Sequence, residues 1–362
     1  MRQITSEDIE PLALGATLLG TGGGGDPHIG ALMAKQAIDE FGPVTVVEPD
    51  ALPPDGLVAA VAVVGAPTVI VERVPAGSEF VASLRAMSRH LGRDLVAIMP
   101  IEVGGMNTLI PLAAAAEMGL PLVDADGMGR AFPEIEMTVF TLAGLPAAPI
   151  VVADEKGNLG IFETTTNKTA ETLGRTAVVQ LGMANAVAQY PMTAGQCAAA
   201  AIRGSLSYCL ELGRRLGEAA ETGLADLLAF AGGRSVFSGT VVDVDRRATD
   251  GFTRGTCAIE HAGEPDRVLR LLIQNELLIA LDDGEPVVTP PDLICVLDHE
   301  NTRPITTENL AYGQRVDVIA LPAAEQWHRE GFTDLVGPRA FGYDLDYVPF
   351  TTTEANFQGS VR

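Results

Sequence analysis

Apolar residues recur along this chain with two different periods. At the start Ile9, Leu12, Ala13, Ala16 and Leu19 fall three or four apart, the spacing that lines one face of a helix. Thr5 precedes them and Asp8 follows it by three, the pairing of a capping box. A helix over 5–19 is predicted, with the polar residues 1–10 as its start. Thr21-Gly22-Gly23-Gly24-Gly25 breaks that pattern, and Asp26-Pro27 restarts it. Asp is a good N-cap and Pro suits the first helical position, so a second helix is expected over 28–41.

Beyond residue 41 the pattern alternates. Continuous apolar runs at 57–65, 95–100, 122–123 and 150–153 have strand length and no polar face, as expected of strands covered on both sides. Helical spacing separates them at 78–91, 108–118 and 133–142. Strands alternating with helices predict a mostly parallel sheet with right-handed crossovers. Residues 169–232 are expected to be mostly helical. From 235 to 322 the runs become short and β-rich, with turn signals at Asp283-Gly284 and Thr289-Pro290-Pro291. The expected fold is therefore α/β: an N-terminal domain over 1–168, mostly parallel sheet with helices, then a domain over 169–362 made of a helical segment and a β-rich module.

Composition narrows the functions. The 362 residues are 47% hydrophobic, enough for two buried cores, and the net charge is −23. A surface that acidic repels phosphate backbones, so nucleic acid is an unfavoured partner. No apolar run reaches membrane-span length and no basic-plus-apolar leader is recognisable. The expectation is a cytoplasmic protein with no membrane partner, assembled as a homo-oligomer. Cys197, Cys209, Cys257 and Cys295 form no CxxC pair, which predicts free thiols.

Candidate chemistry concentrates at strand ends. In open parallel sheets, ligands bind beyond the carboxyl ends of the strands. Three such ends carry unusual residues: Gly65-Ala66-Pro67-Thr68, Glu102-Val103-Gly104-Gly105-Met106-Asn107 and Asp124-Ala125-Asp126-Gly127-Met128-Gly129-Arg130. Glu102, Asp124 and Asp126 are candidate general bases, or oxygen ligands for a divalent metal ion. The bland alternatives are a turn cap for either Asp and a helix cap for Asn107. Gly22 to Gly25 permit close backbone approach. The helix after them offers N–H groups to an anion, unless Asp26 already takes them or the glycines simply form a tight turn. No Lys follows the glycines and no strand precedes them, so no nucleotide is expected.

The histidines offer no metal pair. His28, in the first turn after the glycines, is the candidate for proton transfer; His261 and His299 are expected on hairpin surface. Cys197 stands at a predicted helix start, where a thiol can be activated, but a small buried residue is the commoner fate. Gln274-Asn275-Glu276 is a polar break between two apolar runs. It is either a hairpin turn or, if buried, paired or functional.

These stretches carry a family resemblance. Residues 18–27, Val64-Gly65-Ala66-Pro67, Glu102 to Asn107 and Val123 to Glu134 resemble the S-methyl-thiohydantoin desulfurase-like family. So do Gln274-Asn275-Glu276, Pro291-Asp292-Leu293-Ile294 and Gly337-Pro338-Arg339-Ala340-Phe341-Gly342-Tyr343-Asp344. The resemblance spans nearly the whole chain and leaves out Cys197. It implies an N-terminal α/β domain, a C-terminal β-rich domain and a link to hydantoin metabolism, with a hydantoinase/oxoprolinase-type protein as a partner. The expected function is hydrolysis of a small hydantoin-like cyclic amide or amidine. The rival is a non-catalytic ligand-binding subunit of such a partner. The expected catalytic set is Asp26, His28, Glu102, Asp124 and Asp126. The expected substrate-binding set is Gly23, Gly24, Gly25, Asn107, Arg130, Asn275 and Glu276, with Arg130 or a helix N-terminus holding a substrate carboxylate.

Overall fold

The long apolar runs are buried on both faces because helices cover one side of their sheet and a second core covers the other. A computed structural model describes residues 1–25, 27–65, 75–249 and 252–352. Its first half holds β1 (Arg2–Ile4), α1 (Ile9–Leu19), α2 (Pro27–Phe41), β2 (Val44–Val47), β3 (Leu57–Gly65), α3 (Ser78–Leu91), β4 (Leu95–Pro100), α4 (Ile110–Met118), β5 (Leu122–Val123), β6 (Ala125–Asp126), α5 (Val139–Leu142), β7 (Ile150–Ala153) and β8 (Leu159–Phe162). The eight-stranded sheet runs β1-β2-β5-β4-β3-β9-β7-β8, where β9 is Ala184–Thr193. Its centre, β2-β5-β4-β3, is parallel, and both flanks are antiparallel, so the sheet is mixed. The carboxyl ends of β3, β4 and β5 share one edge.

The second half adds α6 (Asn167–Gln180), α7 (Ala194–Ala200), β10 (Ile202–Arg203), α8 (Ser205–Thr222) and α9 (Ala225–Ala231). A seven-stranded antiparallel sheet follows, ordered β15-β14-β13-β12-β11-β17-β16. Its strands are β11 (Arg234–Thr249), β12 (Phe252–His261), β13 (Val268–Gln274), β14 (Glu276–Asp282), β15 (Glu285–Val288), β16 (Leu293–Asp298) and β17 (Arg315–Leu321), before a short α10 (Phe332–Val336). Among the described residues, no helix is long and apolar enough to cross a membrane.

Three expectations of local structure change. Residues 2–4 form an edge strand on β2 rather than a helix start, and the helix begins after Thr5 and Asp8, whose capping box does form. The segment 169–232 is not all helical, because β9 crosses it and pairs with β3 and β7. Ala184, Ala186 and Ala188 alternate with Asn185, Val187 and Gln189, and most of β9 lies buried in the sheet. Only Val139–Leu142 of the segment 133–142 is helical. The residues before it are pulled into irregular backbone by outside partners: the Ile135 N–H donates to Glu171 and the Ile135 carbonyl accepts from Tyr190.

The two halves are bolted together. α1 packs against α8 so closely that a Cβ on Gly15 would lie 1.9 Å from the Cys209 carbonyl oxygen. The Cys295 thiol of β16 donates to the Leu18 carbonyl at 3.2 Å. All four cysteines are buried and unpaired.

Candidate active site

Two elements from different sheets meet over the shared strand edge. The loop after β4 carries Glu102 and Asn107, and the turn between β13 and β14 carries Asn275 and Glu276. All four side chains line one small cleft of about 80 Å³, with Gly24, Gly25, Phe132, Glu134, Arg175 and Gln189 among its other walls.

Asn107 does not cap a helix. Its Oδ1 accepts from the Val63 N–H at 2.8 Å and its Nδ2 donates to the Val63 carbonyl at 3.1 Å, so it imitates a further strand at the end of β3. The same Nδ2 donates to Glu102 Oε1 at 2.8 Å, and the Phe132 N–H donates to Oε2 at 3.3 Å. Glu102 is thus held from both sides, yet it is only 5% exposed. Burial, partly offset by those two donors, raises its pKa to about 8.

Glu276 is 3% exposed, and its Oε2 has no hydrogen-bond partner among the described residues. Its pKa also rises to about 8, first through burial and then through the charge of Glu102, with Arg130 pulling the other way. The charge of Glu102 thus opposes ionisation of Glu276, and burial makes both carboxyls resist ionisation near neutral pH.

The glycine loop makes room for this arrangement. A Cβ on Gly23 would lie 2.3 Å from Glu276 Oε1, so a larger residue there would displace that carboxyl. Gly24, at φ +73, leans on the Gly104 carbonyl, and the Met106 N–H donates to the Gly24 carbonyl at 2.9 Å. The Leu277 N–H donates to the Thr21 carbonyl and the Thr307 N–H to the Gly22 carbonyl. The loop therefore ties the Glu102 loop to the Glu276 strand. Asn275, at φ +57, exchanges hydrogen bonds with the Thr253 backbone, so the polar triplet is a hairpin turn and a cleft wall at once.

The other expected site residues lie elsewhere or are already engaged. Asp124 accepts from the N–H and the hydroxyl of Ser207, capping the start of α8 away from the cleft. Asp126 Oδ2 accepts from the N–H groups of Val103, Met128 and Gly129 and so shapes the loop that presents Glu102. Burial still lifts its pKa to about 6. Arg130 is fully buried and all five of its N–H donors are spent. They go to the carbonyls of Ala131, Pro291, Asp292 and Leu277 and to the Thr21 hydroxyl. Its guanidinium lies 4.5 Å from the Phe132 ring centre. The expected role of holding a substrate carboxylate gives way to a cross-tie behind the cleft.

His28 is exposed and lines a separate groove with Lys35 and Arg303. Asp26 and Ala66 to Thr68 fall outside the described residues. Cys197 is buried beside Met99, and burial pushes its thiol up to about 12, which fits a packing residue. His299 pairs with Asp317 and His261 sits edge-on to Phe237, both on the β sheet's surface side.

A divalent ion needs charged oxygen ligands. Among the described residues no group of three or more His, Cys, Asp or Glu side chains is arranged to hold a metal. The donor set suits proton transfer better than a hard cation. Two cleft residues were not anticipated from sequence. Arg175 donates to Glu171 and, at 2.9 Å, to the Pro133 carbonyl, with Phe252 stacked on it. Gln189 comes from β9, the strand hidden in the supposed helical segment.

Comparison with known proteins gives two family matches. The S-Me-THD-like N-terminal domain matches residues 7–164, and the S-Me-THD-like C-terminal domain matches residues 165–350. A crystal structure of a protein from Chromobacterium violaceum is similar over 97% of this chain and 100% of its own, with 27% identity and a TM-score of 0.81. No curated protein matches the sequence.

Proposed function

The chain belongs to the S-Me-THD-like family, and from that premise we propose that it hydrolyses a small S-methyl-thiohydantoin-like ring, with Glu102 and Glu276 as its proton-transfer pair. The observation that carries the reading is the meeting of two buried carboxyls, each raised to about 8, in one cleft. Perturbed acids in a cleft are what general acid–base chemistry requires.

The steps follow from the pair sharing a proton. The protonated carboxyl donates to a ring nitrogen of the S-methyl amidine, which makes C2 more electrophilic. The ionised carboxyl takes a proton from water as the water oxygen bonds to C2. The C2 hydroxyl of the tetrahedral intermediate then returns its proton to the carboxylate that acted as acid, the C2 carbonyl forms and the C–S bond breaks. Methanethiolate leaves and takes up the proton the base had gained. One water is consumed, one thiol and one hydantoin-type ring result, and no oxidant or metal is needed. Asn107 and the Phe132 N–H orient Glu102, while Arg130 stabilises charge on the pair from behind.

The test is to offer purified protein S-methyl-thiohydantoins in ¹⁸O water, following methanethiol and ring product by mass spectrometry. Methanethiol release with one ¹⁸O at the C2 carbonyl is the expected result. Binding of the ring without turnover, alone or with a hydantoinase-type partner, would contradict hydrolysis and favour a ligand-binding subunit.

A further inference from the structure

Gln189 lines the cleft from β9, is 1% exposed, and has a buried Oε1 with no hydrogen-bond partner among the described residues. A buried carboxamide without a partner is unusual unless a ligand supplies one. The backbone beside it is built to aim it. Val58 pairs with Met192 but Ala60 pairs with Gln189, so β9 bulges between them. Tyr190, inside the bulge, has φ +50 and turns its N–H to the Ala147 carbonyl at 2.9 Å. Its hydroxyl is locked among Thr138, Thr141 and the Ile135 carbonyl. Bulges of this kind re-aim a side chain next to active sites.

A carboxamide offers one acceptor and one donor side by side. The matching ligand edge is an N–H next to a C=O, as in a lactam or cyclic imide. We propose that Gln189 is the specificity-determining residue of the cleft and reads the ring N–H and the adjacent C=O of a five-membered lactam or imide. The identity of the ring rests on the function proposed above. Holding that N–H and C=O fixes which ring nitrogen keeps its hydrogen, and so leaves the other nitrogen with a lone pair to accept the acid's proton.

The test measures binding by calorimetry and turnover separately. Hydantoin and 1,3-dimethylhydantoin, neither of which can release thiol, are titrated into wild-type protein, Gln189→Met and the nearly isosteric Gln189→Glu. Wild type should prefer hydantoin by at least about tenfold, the scale of one or two lost hydrogen bonds. Both variants should lose that preference while still binding the N-methyl ring, which shows the cleft is intact. Equal binding of both rings by wild type, no binding of hydantoin, or a preference that survives in either variant would overturn the proposal. Thiol release is scored on its own. A Gln189-dependent preference without thiol release leaves this inference standing and removes the hydrolytic reading. Thiol release with an unchanged preference in the variants does the reverse.

Discussion

Glu102 stands beyond β4 and meets Glu276 from the other sheet, whereas Asp124, Asp126 and Arg130 stand beyond the neighbouring β5. Both groups are buried, polar and at strand ends. In the β5 group the hydrogen bonds are mostly closed: Asp124 caps α8, Asp126 gathers three backbone N–H groups, and Arg130 spends all five donors. Glu102 has both oxygens bonded, and among the described residues Glu276 Oε2 lacks a partner as Asp126 Oδ1 does, but the two glutamates line the cleft and the β5 group does not. Position at a strand tip does not separate the two groups here; a place on the cleft wall does. The β5 group braces the cleft from behind, and Glu102 and Glu276 line it.

That distinction breaks first at Arg130. Arg130→Met removes the donor shared by five neutral acceptors behind the cleft and should cost about 3–5 kcal/mol, since each buried polar group left unsatisfied costs about 1–3 kcal/mol. Denaturant unfolding measures it, and a loss below about 1 kcal/mol would make the cross-tie dispensable. Gly23→Ala comes next. Its Cβ collides with Glu276, so overpacking should cost about 1–3 kcal/mol. Most of that penalty should vanish in a Glu276→Ala background, and additive effects in the double-mutant cycle would place the clash elsewhere.

Stability against pH sharpens the contrast. The pair's pKa values lie above the ordinary value of 4.5, so between pH 4.5 and 8 the folded state holds protons that the unfolded chain has released. Their contribution to stability is complete below about pH 4.5 and is lost as pH rises through 8, by at most about 1.4 kcal/mol per pH unit for each group. Glu102→Gln and Glu276→Gln should each flatten that decline in urea melts from pH 5 to 9. A variant that follows the wild-type slope would show its carboxyl is ionised throughout. The smallest effect is expected at Asp124→Asn, which keeps an acceptor for the Ser207 N–H. About 1 kcal/mol or less of stability should go, with turnover unchanged; a large loss of turnover there would return Asp124 to the chemistry.

Much of this site was legible in the chain because strands buried on both faces announce themselves as apolar runs, and the residues that end such runs stand out. Glu102, Asn107 and the glycines were found that way, and Glu276 by the polar break around it. What sequence left open was which of these side chains reach the cleft. Nothing in Asp124-Ala125-Asp126 reveals that Ser207 and three backbone N–H groups are waiting for those carboxylates. Gln189 was missed because β9 lies between helices and is rich in alanine, which suits either structure. The signal that could have found it is the Val187–Tyr190 run stopped by Pro191. Arg175 has no such signal, since an arginine on a helix surface is ordinary until a cleft opens beside it.

The most direct measurement is the pH–rate profile of methanethiol release from an S-methyl-thiohydantoin by wild type, Glu102→Gln and Glu276→Gln. The account predicts a bell near pH 8 for wild type, since one carboxyl must be ionised and the other protonated. It predicts losses of about a hundredfold or more in both variants at every pH, the scale of removing a general acid or base. Full activity with an unchanged profile in either variant would contradict it.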